Sequence, residues 1–257
     1  MKDRLFNGCL CILQFLRKDF HVECLWPAIT NKCGRAVSKY IVVLLLFVPF
    51  SLLYSDLNQI HLARVQYDGG GDWYNDPEVL PNFAEFLSRH LPINISRRER
   101  VVRLSDANLH QFPFLYLTGH GNIVANDFEV SNLRRYLLSG GFLYVDDDYG
   151  LDESFRRFIT RVFPERSLTE LPVTHPIFSA YFQFPQGLPK IHEHDGKRPQ
   201  LFAIFDDAGR IMVLYTYESN ISDGWADPQT HNNPEEVRET AFRFGLNMFY
   251  YLFVGGD

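Results

Sequence analysis

The stretch LRRYLLSGGFLYVDDDYG, Leu133 to Gly150, closes a helix, turns on two glycines and enters an apolar strand that ends in three acids. Just upstream, Asn126 and Glu129 have the spacing of a capping box, and Phe128, Leu133, Tyr136 and Leu137 are read as the buried face of one helix. Gly140 and Gly141 stop that helix, because glycine tolerates the left-handed backbone that helix ends adopt. FLYVDDD then offers no polar face before Asp146, the pattern of a strand covered on both sides.

The same alternation extends in both directions. IHLARVQY (60–67) reads as a strand running into DGGGDW. A helix is expected from Pro77 to about His90, with Asp76 as its cap and Leu80, Phe83, Ala84 and Leu87 as its apolar face. RVVRL (100–104) and FPFLYLTG (112–119) are further strands, and SFRRFITRVF (154–163) is a helix ended by Pro164. Strands and helices joined by short connections predict a parallel sheet covered on both faces. QLFAIFDDAGRIMVLYTY (200–217) reads as a hairpin turning at Asp206–Gly209. NPEEVRETAFRFGLNMFYYLF (233–253) reads as a final amphipathic helix with Phe242, Met248, Phe249 and Tyr251 in the core.

Composition narrows the function. The 257 residues are 46 % hydrophobic, with net charge −6. Residues 1–55 hold seven of the 25 Lys/Arg and three of the 31 Asp/Glu, which leaves residues 56–257 with a balance of −10. An acidic domain without a basic stripe argues against nucleic acid as a partner. All four cysteines (Cys9, Cys11, Cys24, Cys33) precede residue 34, so the domain has no thiol nucleophile, thiolate metal site or internal disulfide. YIVVLLLFVPFSLLY (40–54) follows Arg35 and Lys39 and has the length of a signal-peptide core; a buried helix is the plainer alternative. Residues 37–55 are read as a signal peptide or membrane anchor, so that residues 56–257 form one exported domain, periplasmic or anchored facing the periplasm. Residues 1–36 are read as an extension ahead of a translation start near Val37.

In parallel sheets ligands bind beyond the carboxyl ends of the strands. If the strands take the order 2-1-3-4, the polar segments Asp68–Trp73, Thr118–Asn122 and Asp146–Gly150 form one rim. His120, between Gly119 and Gly121, is a candidate acid, base or metal ligand, or else a histidine bonded in a tight turn. Asp147 and Asp148 are candidate catalytic acids. Asp146, Asp147 and Asp148 alternate in direction, so at most two share a site, where one would bind Mg²⁺ or Ca²⁺ or orient His120. Their plainer role is a cap for the next turn or a pair with Arg64 or Arg156. Asp68, Gly70, Gly71 and Asp72 offer backbone amides to an anion, or simply a flexible turn before Trp73. Trp73, Gly119, Gly121, Asn122, Asp146, Tyr149 and His175 complete the candidate ligand-binding set, although Trp73 equally suits core packing and His175 the start of a short helix. HEHDG supplies His192 and His194, which with Asp146 and Asp148 are the candidate metal ligands. Asp223 and Trp225, in SDGWADP, are rim residues without defined chemistry.

The segments RVQYDGGGDWYNDP, FPFLYLTGHGN, LRRYLLSGGFLYVDDDYG, FRRFITRVFPE and HPIF, in this order, resemble the bacterial family DUF4159. That family looks like a member of the class I glutamine amidotransferase-like superfamily, near the ThuA-like proteins. The resemblance implies a three-layer, flavodoxin-like α/β fold, here with a C-terminal β-hairpin and helix. It also places VDDDYG where the amidotransferases carry a cysteine on a sharp turn, which this domain lacks. Family members are often encoded beside MoxR-type ATPases and von Willebrand A-type membrane proteins, which implies an envelope-associated complex. Two functions follow as expectations. One is a binding module for a small polar ligand or a cell-envelope protein. The other is an envelope hydrolase acting on a saccharide or peptide through His120 and an aspartate of 146–148, with or without a divalent metal.

Overall fold

A computed structural model of the protein describes residues 59–255. The apolar run at 40–54, the cysteines and the expected start near Val37 lie outside them. Seven strands form one sheet: β1 (Leu62–Gln66), β2 (Arg100–Arg103), β3 (Phe114–Leu117), β4 (Phe142–Asp146), β5 (Thr169–Glu170), β6 (Gln200–Phe205) and β7 (Ile211–Tyr217). Their order is β2-β1-β3-β4-β7-β6-β5. The first five positions are mutually parallel, and β6 and β5 continue the sheet antiparallel. The expected 2-1-3-4 order is present, and the hairpin β6–β7 belongs to the same sheet, with β7 pairing directly to β4.

Alternate residues of each strand enter two different cores, as a period of two requires. Leu62, Phe114, Tyr116, Phe142, Tyr144 and Leu214 face α1 (Val79–His90) and the long C-terminal helix Glu235–Phe253. Ala63, Val65, Leu115, Leu117, Leu143 and Val145 face α2 (Asp127–Leu138) and α3 (Asp152–Val162). The result is a three-layer α/β fold. A short helix α4 (Pro228–His231) precedes the C-terminal one, which is therefore α5. Among the described residues no helix is long and apolar enough to cross a membrane.

Two local expectations are corrected. Asn126 and Glu129 do form the capping box, but Phe128 is exposed rather than buried. Nine residues separate it from Leu137, about 900° at 100° per residue, so the two project from opposite sides of the helix. Helix α1 begins at Val79, not Pro77, and Asp76 does not cap it. Asp76 instead adopts a left-handed backbone conformation (φ 45°) and directs its carboxylate to His231.

Candidate functional site

Because β1, β3 and β4 are neighbouring and parallel, the loops after them leave the sheet at one edge. The first two are zipped together, with the Val124 amide donating to the Asp68 carbonyl at 2.6 Å and a bridge between Gly70 and Asn122. Both cross over Tyr67, whose hydroxyl donates to the Thr118 carbonyl at 3.0 Å. A Cβ on Gly71 would lie 2.6 Å from that hydroxyl, and one on Gly119 only 2.5 Å. These two glycines therefore permit close packing of the loops, whereas nothing crowds Gly70 and only the Gly71 backbone approaches Gly121.

The loop packing brings His120 between two carboxylates. Its amide donates to Asp72 Oδ1 at 2.5 Å, its Nδ1 lies 3.0 Å from Asp72 Oδ2, and its Nε2 lies 3.1 Å from Asp148 Oδ1. Partial burial would raise the pKa of Asp72, but the hydrogen bonds and charge of His120 outweigh it and hold Asp72 below the usual range. Burial, and then the charge of Asp223, push Asp148 the other way. The imidazole thus joins an acid kept ionised to one that retains its proton more readily.

The three consecutive aspartates have three different surroundings. Asp146 is buried and accepts from the Thr216 and Ser222 hydroxyls and from the Ser222 and Ile221 amides. Burial, first among its causes, raises it to about 7, and its hydrogen bonds tie β4 to the 3-10 turn Ile221–Gly224 after β7. Asp147 accepts from the Glu218 amide at 3.2 Å and lies 3.9 Å from His194 Nδ1; burial raises it to about 8. Asp148 alone lines the cleft with His120, and also accepts from Asn75, Asn220 and its neighbour's amide. Neither Arg64 nor Arg156 pairs with any of the three: Arg64 bonds Glu99 and Arg156 bonds Asp152.

The cleft is a cavity of about 220 Å³ lined by Asn75, Asp76, His120, Asp148, Tyr149, His192, Glu193, His194, Asn220, Asp223 and His231. Four histidines and four acids meet there, with no Lys or Arg in the lining. His231 Nε2 lies 2.7 Å from Asp76 Oδ2, a hydrogen bond that raises it to about 9. His192 Nδ1 lies 3.1 Å from Asp223 Oδ2 and is likewise raised, while burial lowers His194. Asn220 spans the site, its amide nitrogen donating to Asp148 at 3.1 Å and to Asp223 at 3.0 Å. A larger open groove of about 540 Å³ lies between α1 and α5, away from the strand ends. Its charged residues already have partners: Arg89 pairs with Glu85, Arg238 with Glu235 and Glu239 with Arg243, and Asp227 accepts from Asn82.

Arg64 ties down the first loop. It is 1 % exposed, and it donates to the carbonyls of Trp73, Asn75 and Asp76 at 2.7–3.2 Å while its Nε bonds Glu99. Its guanidinium also sits 5.2 Å from the Tyr116 ring centroid. One buried side chain thereby sets the loop that carries Asp72, Asn75 and Asp76.

Of the residues expected from sequence, His120, Asp148, Tyr149, His192 and His194 line the cavity, with Asp72 directly behind His120. Asp68 instead faces Arg103, Asn122 faces Arg157, and Trp73 packs against the second core. His175 accepts from the Ile177 amide to open a 3-10 turn and lies against Tyr251, apart from the cleft. Asn75, Asp76, Asn220 and His231 were not expected there. Asn75 and Asp76 stand beside a proline that reads as a helix start, and Asn220 and His231 lie in loops whose position depends on β7 reaching β4.

Fold and site together define an α/β protein that gathers a histidine- and carboxylate-lined cleft at the carboxyl edge of a mostly parallel sheet. The chain belongs to the family described as Domain of unknown function (DUF4159), whose profile matches residues 61–253. A comparison with curated proteins returned no match.

Proposed function

We propose that the protein is a hydrolase that uses water on a small polar substrate at this edge, with His120 as general base and Asp148 as general acid. The observation that carries the reading is the arrangement Asp72–His120–Asp148 in an open cleft. Acid and base assignments follow from environments that push neighbouring groups apart, as Asp72 and Asp148 are pushed. Asp72 orients the ring through Nδ1, and Nε2 takes a proton from water when Asp148 swings to the leaving group. The domain has no cysteine, so glutamine hydrolysis through a thiolate does not belong to this reading. A place in the glutamine amidotransferase-like superfamily is supported by the strand order and by the Asp146–Gly150 turn standing after a central parallel strand. Export, and a saccharide or peptide of the envelope as substrate, rest on the run at 40–54.

The test is turnover by the full chain on a panel of envelope saccharides, peptides and esters, beside His120→Ala. Loss of roughly 10²- to 10⁴-fold in kcat/KM for the variant is expected. Saturable binding of a panel member without turnover would overturn the hydrolase in favour of a binding module.

A further inference from the structure

We propose that Asp76, Asp223 and His231 form a binding site for one divalent transition metal of the zinc class. The proposal gives the hydrolytic reading a cofactor and rests on that reading for the metal's role, although not for its binding.

The geometry comes first. One ligand atom from each of the three residues lies within 4.8 Å of the others. Donors at the usual ~2.1 Å from a tetrahedral zinc are about 3.4 Å apart, so the pair at 2.7 Å opens and any pair near the 4.8 Å bound closes by about 1.4 Å to hold the ion. The three ligands come from separate parts of the chain that are each held in place. Arg64 grips the backbone of Asp76, and Asp146 anchors the turn that carries Asp223. His231 ends α4. The Asp223 side chain is 7 % exposed, with Oδ2 taken up by Asn220 and His192. Its Oδ1 lies 3.7 Å from His231 Nε2, beyond hydrogen-bond length.

One feature points to a missing occupant. Asp223 is buried, yet its Oδ1 has no hydrogen-bond partner among the described residues, and buried polar atoms are rarely left so. Of the four carboxyl groups in the lining, Glu193 is paired with Lys190 and the other three with histidines, so the ion would replace protons on those histidines. Donor type then selects the ion. Imidazole with carboxylate, and no thiol after Cys33, suits zinc and its neighbours better than Mg²⁺ or Ca²⁺, which prefer oxygen throughout. Asp146, expected from sequence as a ligand, is fully engaged by Thr216, Ile221 and Ser222 and takes no part. Three protein ligands and an open position are the composition of a catalytic zinc site. Such an ion supplies an activated water, and Asn220 links Asp223 to Asp148, the partner of His120.

The experiment is calorimetric titration of Zn²⁺ into the chelator-stripped full chain, with its four cysteines alkylated so that they cannot contribute. One equivalent is expected to bind, with Mg²⁺ weaker. His231→Ala and Asp223→Asn should each weaken zinc at least ~100-fold, and His120→Ala should leave it within a few-fold. Thermal melts of the metal-free variants confirm that they fold. Absence of saturable zinc binding, or unchanged affinity in both ligand variants, overturns the site. Zinc binding with no turnover would sink the hydrolase but not the metal site, and His120-dependent turnover in zinc-free protein would remove the metal's catalytic role but not its binding.

Discussion

His120 Nε2 stands 3.1 Å from Asp148 Oδ1, so the residues that follow two adjacent parallel strands come within ion-pair distance across the sheet edge. The contact depends on backbone register more than on any local motif. Asp148→Asn should therefore abolish the acid while sparing the fold. Turnover should fall roughly 10²-fold or more, while the melting temperature moves by only a few degrees. A melt that collapses along with activity would show that Asp148 is chiefly structural.

Arg64 is expected to be the most costly single charge to remove. Arg64→Met leaves three loop carbonyls without their donor and Glu99 without its partner. Urea unfolding should show a loss of about 3 kcal/mol, with Arg64→Lys intermediate. A change under ~1 kcal/mol would mean that the loop holds itself.

Asp147 makes a pH-dependent prediction. Burial raises it from 3.8 to about 8, so the folded chain binds this proton more tightly than the unfolded chain. Its stabilising contribution is full below about pH 4 and is lost as pH rises through about 8, at no more than ~1.4 kcal/mol per pH unit. Asp147→Asn carries no charge at any pH. It should match the wild type near pH 4 and exceed its stability by about 1–3 kcal/mol at pH 9. Parallel denaturation curves at the two pH values would contradict this.

Gly119 has φ +125°, and a Cβ there would lie 2.5 Å from the Tyr67 hydroxyl. Gly119→Ala should cost about 1–3 kcal/mol. Tyr67→Phe removes the colliding oxygen, so the double variant should recover part of that loss, measured as non-additivity in a double-mutant cycle. Strict additivity would place the whole cost in the backbone.

Much of this architecture is legible in the chain itself. Alternating strands and helices, the Gly140–Gly141 stop and the capping box follow from local rules that act over a few residues. So does the gathering of polar loops at one edge, once β1, β3 and β4 are neighbours. Where local reading failed, a distant partner had displaced a local one. Asp76 sits one residue before Pro77, where a cap belongs, yet it meets His231 on α4 instead.

The sequence alone therefore determined the fold class, the absence of a thiol after Cys33 and the place of His120 on the rim. Only the tertiary structure decided which of Asp146, Asp147 and Asp148 faces the cleft, and that Asp76, Asp223 and His231 meet there. The reason is separation along the chain. Asp76 and His231 are 155 residues apart. Their meeting depends on β7 pairing with β4 and on Arg64 holding the first loop, contacts between distant segments that no local periodicity encodes.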